Sequence, residues 1–175
     1  MEVEVEGGGK RYALLQAAKD SEYVKKVRVL QNYDGFEISG SPHDAYANGS
    51  WILGLHFLLQ TLDAMEKKLL GIVLCRTLGG IVGKAETGWD IEVRKVEIME
   101  SSEWKFNEEM GEIPSSLSII ECHQDEVWEI PFGAQVMGFS DQTAVEILAI
   151  GGHILGIKAT LCIPKTFSTI SWIVS

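Results

Sequence analysis

The chain has 175 residues, 46% hydrophobic and 23% charged, the size and make-up of one domain that buries its own core without metal or disulfide staples. Its 15 Lys and Arg against 25 Asp and Glu leave a net charge of −10, which argues against a general nucleic-acid or anionic-membrane surface, since both need a positive footprint. Cys75, Cys122 and Cys162 lack any CxxC spacing and cannot all pair within one chain, so a zinc site and a disulfide framework are both disfavoured and a reducing cytosol fits.

Residues 1–10 (MEVEVEGGGK) are acidic and then glycine-rich, and read as a flexible leader. No apolar stretch reaches the ~18 residues that a membrane span needs. Residues 12–18 (YALLQAA) are a short apolar run, followed by Asp20-Ser21-Glu22, a cap with acidic first-turn residues. This predicts strand, turn and then a helix over 20–30. Residues 34–39 (DGFEIS) predict a second strand, closed by the loop Gly40-Ser41-Pro42. Residues 51–65 (WILGLHFLLQTLDAM) have helical length and a wide apolar face, with Asn48 or Ser50 as the cap. Residues 67–73 (KKLLGIV) fit a buried parallel strand.

The second half is strand-rich. Residues 90–99 (DIEVRKVEIM) alternate as a half-exposed strand does. Residues 117–122, 127–130, 135–139, 145–150 and 153–157 are further short strands, with turns at Pro131-Phe132-Gly133 and Gly151-Gly152. Early alternation of strand and helix, then strands alone, predicts an α/β domain with antiparallel additions.

Several segments carry a family resemblance. They are residues 33–45 (YDGFEISGSPHDA), Leu70-Gly71-Ile72, 75–80 (CRTLGG), 82–85 (VGKA), 119–127 (IIECHQDEV) and 138–156. In content and order they resemble class I glutamine amidotransferase-like domains, most closely the plant γ-glutamyl peptidases. The resemblance covers most of residues 11–157. It implies a reduced flavodoxin-like parallel sheet with helices on both faces, within a domain spanning 11–158 and followed by a divergent tail at 159–175. It also implies hydrolysis of the γ-glutamyl amide bond of glutathione or its conjugates by a Cys-His-Glu triad, with no cofactor and no metal. That chemistry needs a thiolate on a tight strand-to-helix elbow, a His to carry the proton, and backbone N–H groups for the oxyanion.

The sequence departs from the family at each triad position. After Leu70-Gly71-Ile72 the family continues into a Cys-Phe-Gly-His-Gln elbow; here Ile72 runs straight into Val73-Leu74-Cys75-Arg76. Cys75 therefore matches a later, helical cysteine. After Leu155-Gly156-Ile157-Lys158, Thr160 stands where the family has its His and Cys162 where it has its Glu. A strand and a helix are also missing, since only residues 28–32 separate two segments that flank them in the family. The expectation is a catalytically inactive chain. It is either a binding protein for a γ-glutamyl ligand or partner, or the product of misjoined coding segments.

Cys75, with no neighbouring Gly to expose it, reads as a buried inert thiol. Cys122 and His123 are adjacent on a strand and point to opposite faces, which predicts a core Cys122 and a loop-facing His123. His123, Asp125 and Glu126 match the family loop that shapes the γ-glutamyl pocket; the alternative is a strand end where Asp125 caps a turn. Gly40, Ser41 and Pro42 resemble the oxyanion loop, or else form a strand-terminating turn. His43 and Asp44 read as surface residues, His56 as packing on its helix, and His153 as an exposed turn residue. The four histidines have no metal-binding spacing, and the five Trp form no stripe for stacking bases. The tail, residues 161–175, is apolar and β-branched; it reads either as an edge strand or as an unselected extension that would tend to aggregate, the second being favoured.

Overall fold

The computed structural model describes residues 2–7, 10–15, 30–38, 45–71, 74–99 and 114–158. The elements in chain order are β1 (Glu2–Gly7), β2 (Lys10–Leu15), β3 (Gly35–Ile38), α1 (Ser50–Ala64), β4 (Lys68–Gly71) and α2 (Leu74–Thr77). The strands β5 (Ile81–Lys84), β6 (Asp90–Ile98), β7 (Ser116–His123), β8 (Asp125–Glu129), β9 (Ala134–Phe139), β10 (Ile147–Ile150) and β11 (Ile154–Ile157) follow.

Nine strands form one sheet in the order β1-β2-β3-β4-β11-β10-β9-β6-β7. β2, β3, β4 and β11 run parallel, and the remaining pairings are antiparallel. This is the expected α/β sheet, with antiparallel additions supplied by the second half and, at the other edge, by β1. β5 and β8 form a separate two-stranded ribbon. The expected strands agree with β2, β3, β4, β6, β7, β8, β9, β10 and β11 to within a few residues. The turns after β8 and β10 carry Gly133 and Gly151 at positive φ (78° and 57°), a backbone region open to glycine.

Alternate residues of one strand enter opposite cores. Leu69 and Ile154 face α1, where they join Phe36, Ile38, Leu55, Leu58, Leu59, Leu62 and Leu74. Their neighbours Leu70 and Leu155 face the other side, with Val96, Ile119, Met137, Ile147 and Ile157. This period of two is what a sheet buried on both faces requires. α1 holds its place through the apolar stripe Ile52, Leu55, Leu58, Leu59 and Leu62.

Three sequence readings change. Glu2–Gly7, read as part of a flexible leader, pairs with β2 over six residues. The alternation of EVEVE is a strand period, which acidity and glycine content masked. The cap of α1 is Gly49, with no side-chain hydrogen bond, so neither Asn48 nor Ser50 fills that role. The expected helix over 20–30 lies outside the described residues except at Leu30, as do the tail and Cys162.

The third change inverts β7. Cys122 is exposed and His123 is partly buried, because Ile119 and Glu121 are the inward residues of the strand. Side-chain direction alternates along a strand, so reversing the phase turns every residue over. The apolar Cys and the charged Glu suggested the opposite phase. Packing of Ile119 against Val96 and Met137 decides it.

Candidate functional site

Cys75 lies in α2, the single helical turn just after β4. Its side chain is 2% exposed, and its Sγ donates to the Glu129 carbonyl at 3.5 Å. Gly80 closes over it: a Cβ there would lie 2.5 Å from the sulfur and 2.6 Å from the Glu129 oxygen. Burial pushes the thiol up to about 11. A nucleophilic cysteine needs the opposite surroundings, with a donor or cation that favours thiolate and an open approach. The buried-thiol reading of Cys75 therefore holds.

Next to Cys75, Arg76 performs a structural task that the motif CRTLGG did not reveal. Its guanidinium donates to the carbonyls of Ala45 (2.9 Å) and Ala47 (2.7 Å) and to Oδ1 of Asn48 (2.6 Å). Asp125 holds the same segment from the other side, accepting the Ala45 N–H at 2.9 Å. So the chain leaving residues 40–44 is fixed both by Arg76 and by the HQDEV strand. Gly40, Ser41, Pro42, His43 and Asp44 lie outside the described residues.

His123 and Glu126 line a cavity of about 450 Å³, together with Thr87, Trp128, Thr143 and Lys158. Lys158 is nine-tenths buried and donates to Oγ1 of Thr143 at 2.9 Å. Asp125 and Glu126 also border a smaller neighbouring cavity of about 30 Å³, beside Cys75, Glu146 and Lys158. Glu126 lines both cavities, whereas His123 lines only the larger and Asp125 only the smaller. His123 meets the wholly buried Glu121 through Nε2. Neither Glu121, Glu146 nor Lys158 was singled out in the sequence. They come together only because β7, β10 and β11 end at one side of the sheet.

Two further histidines, His153 and His56, lie among the described residues away from this region. Nε2 of His153 is 2.9 Å from Oδ1 of Asp63, which ties the β10–β11 turn to α1 and leaves the imidazole only about a quarter exposed. The expected exposed turn residue is thus an anchor. His56 lies on α1, and burial, then the nearby Arg76 charge, lower its pKa. No group of three or more His, Cys, Asp or Glu among the described residues is arranged to hold a metal ion. No helix among them is long and apolar enough to cross a membrane.

The sheet order and the placement of the HQDEV strand define a glutamine amidotransferase-like fold. The chain superposes on a glutamine amidotransferase from Methylobacillus flagellatus with TM-score 0.66 at 18% identity, covering 81% of this chain and 59% of that one. It superposes on one from Thermotoga maritima with TM-score 0.67 at 21% identity, covering 82% and 61%. The chain thus spans about three fifths of these two structures. No family model matches it.

Sequence comparison is more specific. The chain is 37% identical to γ-glutamyl peptidase 5 of Arabidopsis thaliana over 85% of its own length and 74% of the relative's. Identity to peptidases 3 and 2 of that plant is 38% and 39%, with similar coverage. The chain belongs to the γ-glutamyl peptidase family. The match to peptidase 5 runs over 186 positions but takes in 85% of 175 residues, about 149. Roughly 37 aligned positions of the relative therefore face gaps inside this chain.

Proposed function

We propose that this chain is a non-hydrolysing member of its family, one that binds γ-glutamyl compounds such as glutathione or its conjugates in a cytosolic setting. The observation that carries this reading is the enclosure of Cys75. Its sulfur is hydrogen-bonded to Glu129, shut in by Gly80 and held protonated by burial. Amide hydrolysis by a cysteine enzyme starts from a thiolate that attacks the carbonyl carbon while a His manages the proton. A thiol in this state supplies neither the charge nor the approach.

The pocket chemistry supports retained binding. The γ-glutamyl group ends in an ammonium and a carboxylate on one carbon. Lys158 offers a cation to the carboxylate, while Glu126 and Glu86 on the same cavity wall offer anions to the ammonium. Trp128 gives an apolar wall for the rest of a conjugate. Calorimetric titration with glutathione tests the reading: saturable heat, weakened at least tenfold by Lys158→Ala, is expected. Turnover of glutathione that disappears in Cys75→Ala would overturn it.

A second reading is favoured by the roughly 37 positions missing inside the alignment. In it, coding segments are skipped, and the native protein is longer and active. The intact mass of the protein isolated from its source decides. The 19.3 kDa of this chain supports the first reading, and a species heavier by the missing segments supports the second.

A further inference from the structure

Four charged side chains are buried together behind the cavity. Glu121 and His123 come from β7, Glu146 from the residue before β10, and Lys158 from the residue after β11. The carboxylates of Glu121 and Glu146 are wholly buried, Lys158 is 9% exposed and His123 is 15% exposed. One Glu146 oxygen accepts from Oγ of Ser140 at 2.6 Å. Its other oxygen lies 3.9 Å from Nζ of Lys158 and has no hydrogen-bond partner among the described residues. Glu121 rests against His123.

Among the described residues, the charged groups around this quartet bring more negative than positive charge to it. On β6, Asp90 and Glu92 stand opposite His123 and Glu121, and both are paired with Arg94, which also reaches Asp141. Glu86 and Glu126 line the cavity and add negative charge. Two buried carboxylates therefore share one lysine ammonium. Buried charge without a full partner is disfavoured, and burial favours the protonated form of the Glu146 carboxyl.

We infer that the quartet makes the cavity an anion site that takes up a ligand carboxylate together with a proton. The inference rests on the γ-glutamyl reading for the identity of the ligand. A carboxylate entering at Lys158 competes with ionised Glu146 for the same ammonium. With Glu146 protonated, Lys158 is free to turn to the ligand carboxylate, which takes the place of ionised Glu146 as its partner, so that binding leaves the buried charge unchanged. Burial raises the Glu146 carboxyl above the ordinary range. The Ser140 hydroxyl, the Lys158 ammonium and His123 oppose that rise, and Glu121 adds to it.

Calorimetric titration of the full chain with glutathione in phosphate and in Tris, whose ionisation heats differ, counts the protons. Net uptake approaching one proton per ligand is expected, with a Kd that weakens by at most about tenfold per pH unit once pH rises above the range in which Glu146 holds its proton. Glu146→Gln should bind with equal heats in both buffers and a flat pH dependence. Equal heats for the unaltered chain overturn the coupling.

A ligand-free measurement tests the proton store by itself. A carboxyl with a raised folded pKa keeps its proton in the folded chain and loses it on unfolding. Stability therefore falls as pH rises from the ordinary carboxyl range towards the folded value. Urea unfolding should show that fall in the unaltered chain and a clearly smaller one in Glu146→Gln, where Glu37 still carries a carboxyl raised by burial; Glu121→Gln, which also lessens the rise at Glu146, serves if the first variant does not fold. Identical pH profiles overturn the store. No heat with glutathione, with the unfolding difference intact, sinks the γ-glutamyl reading and the coupling. Binding with equal heats sinks the coupling alone.

Discussion

Cys75 and Cys122 form an internal pair of opposites, and alkylation distinguishes them in one tube. Cys122 is exposed on the outer face of β7. Cys75 is 2% exposed, and burial pushes its thiol to about 11. At pH 7 about one Cys75 thiol in ten thousand is ionised, against a few per hundred for an ordinary cysteine. Because the thiolate is the reacting species, Cys75 should react with iodoacetamide at least ~100-fold more slowly than Cys122. The Gly80 and Glu129 backbone around the sulfur slows it further. A time course read by peptide mass mapping gives both rates, and repeating it in urea should make them converge. Comparable native rates would mean that Cys75 is open to attack, and would refute the reasoning that removes it as a nucleophile.

The other predictions concern packing. Gly80→Ala puts a methyl 2.5 Å from the Cys75 sulfur and 2.6 Å from a backbone oxygen that has no rotamer to change, so it should cost about 1–3 kcal/mol in urea unfolding. Arg76→Ala removes three charge-assisted hydrogen bonds to the 45–48 segment, and should cost about 2–4 kcal/mol and speed proteolysis there. Arg76→Lys should recover little of that loss, because one ammonium cannot span the three acceptors with a fork. On β7, Ile119→Ala should cost about 2–5 kcal/mol, whereas Cys122→Ser should stay within about 0.5 kcal/mol. The reverse order would restore the strand phase that the sequence suggested.

Most of the sheet was legible because its strands carry a period of two or a continuous apolar run. β4 and β11 are apolar on both faces, as central parallel strands must be, whereas β6 is legible as a strand although its alternation changes face at Arg94-Lys95 and leaves Ile91 and Val93 exposed. β5 was passed over because IVGK is short and stands apart from the main sheet, where pairing with β8 decides its form. The phase of β7 was misread for a reason that bears on function. Glu121 is charged and fully buried, an arrangement a sequence pattern treats as unfavourable and only a neighbouring charge makes tolerable. His123, Asp125 and Glu126 were legible as a group because they are contiguous. Their partners Glu146 and Lys158 were not, since strands far apart in the chain bring them to one place.

With Cys75 enclosed, this family member should bind its ligand without cleaving it. Amino-acid analysis of the folded chain after prolonged incubation with glutathione tests that most directly. The expected result is no free glutamate above the protein-free control. Stoichiometric or catalytic release of glutamate, lost when Cys75 is replaced by Ala, would contradict it.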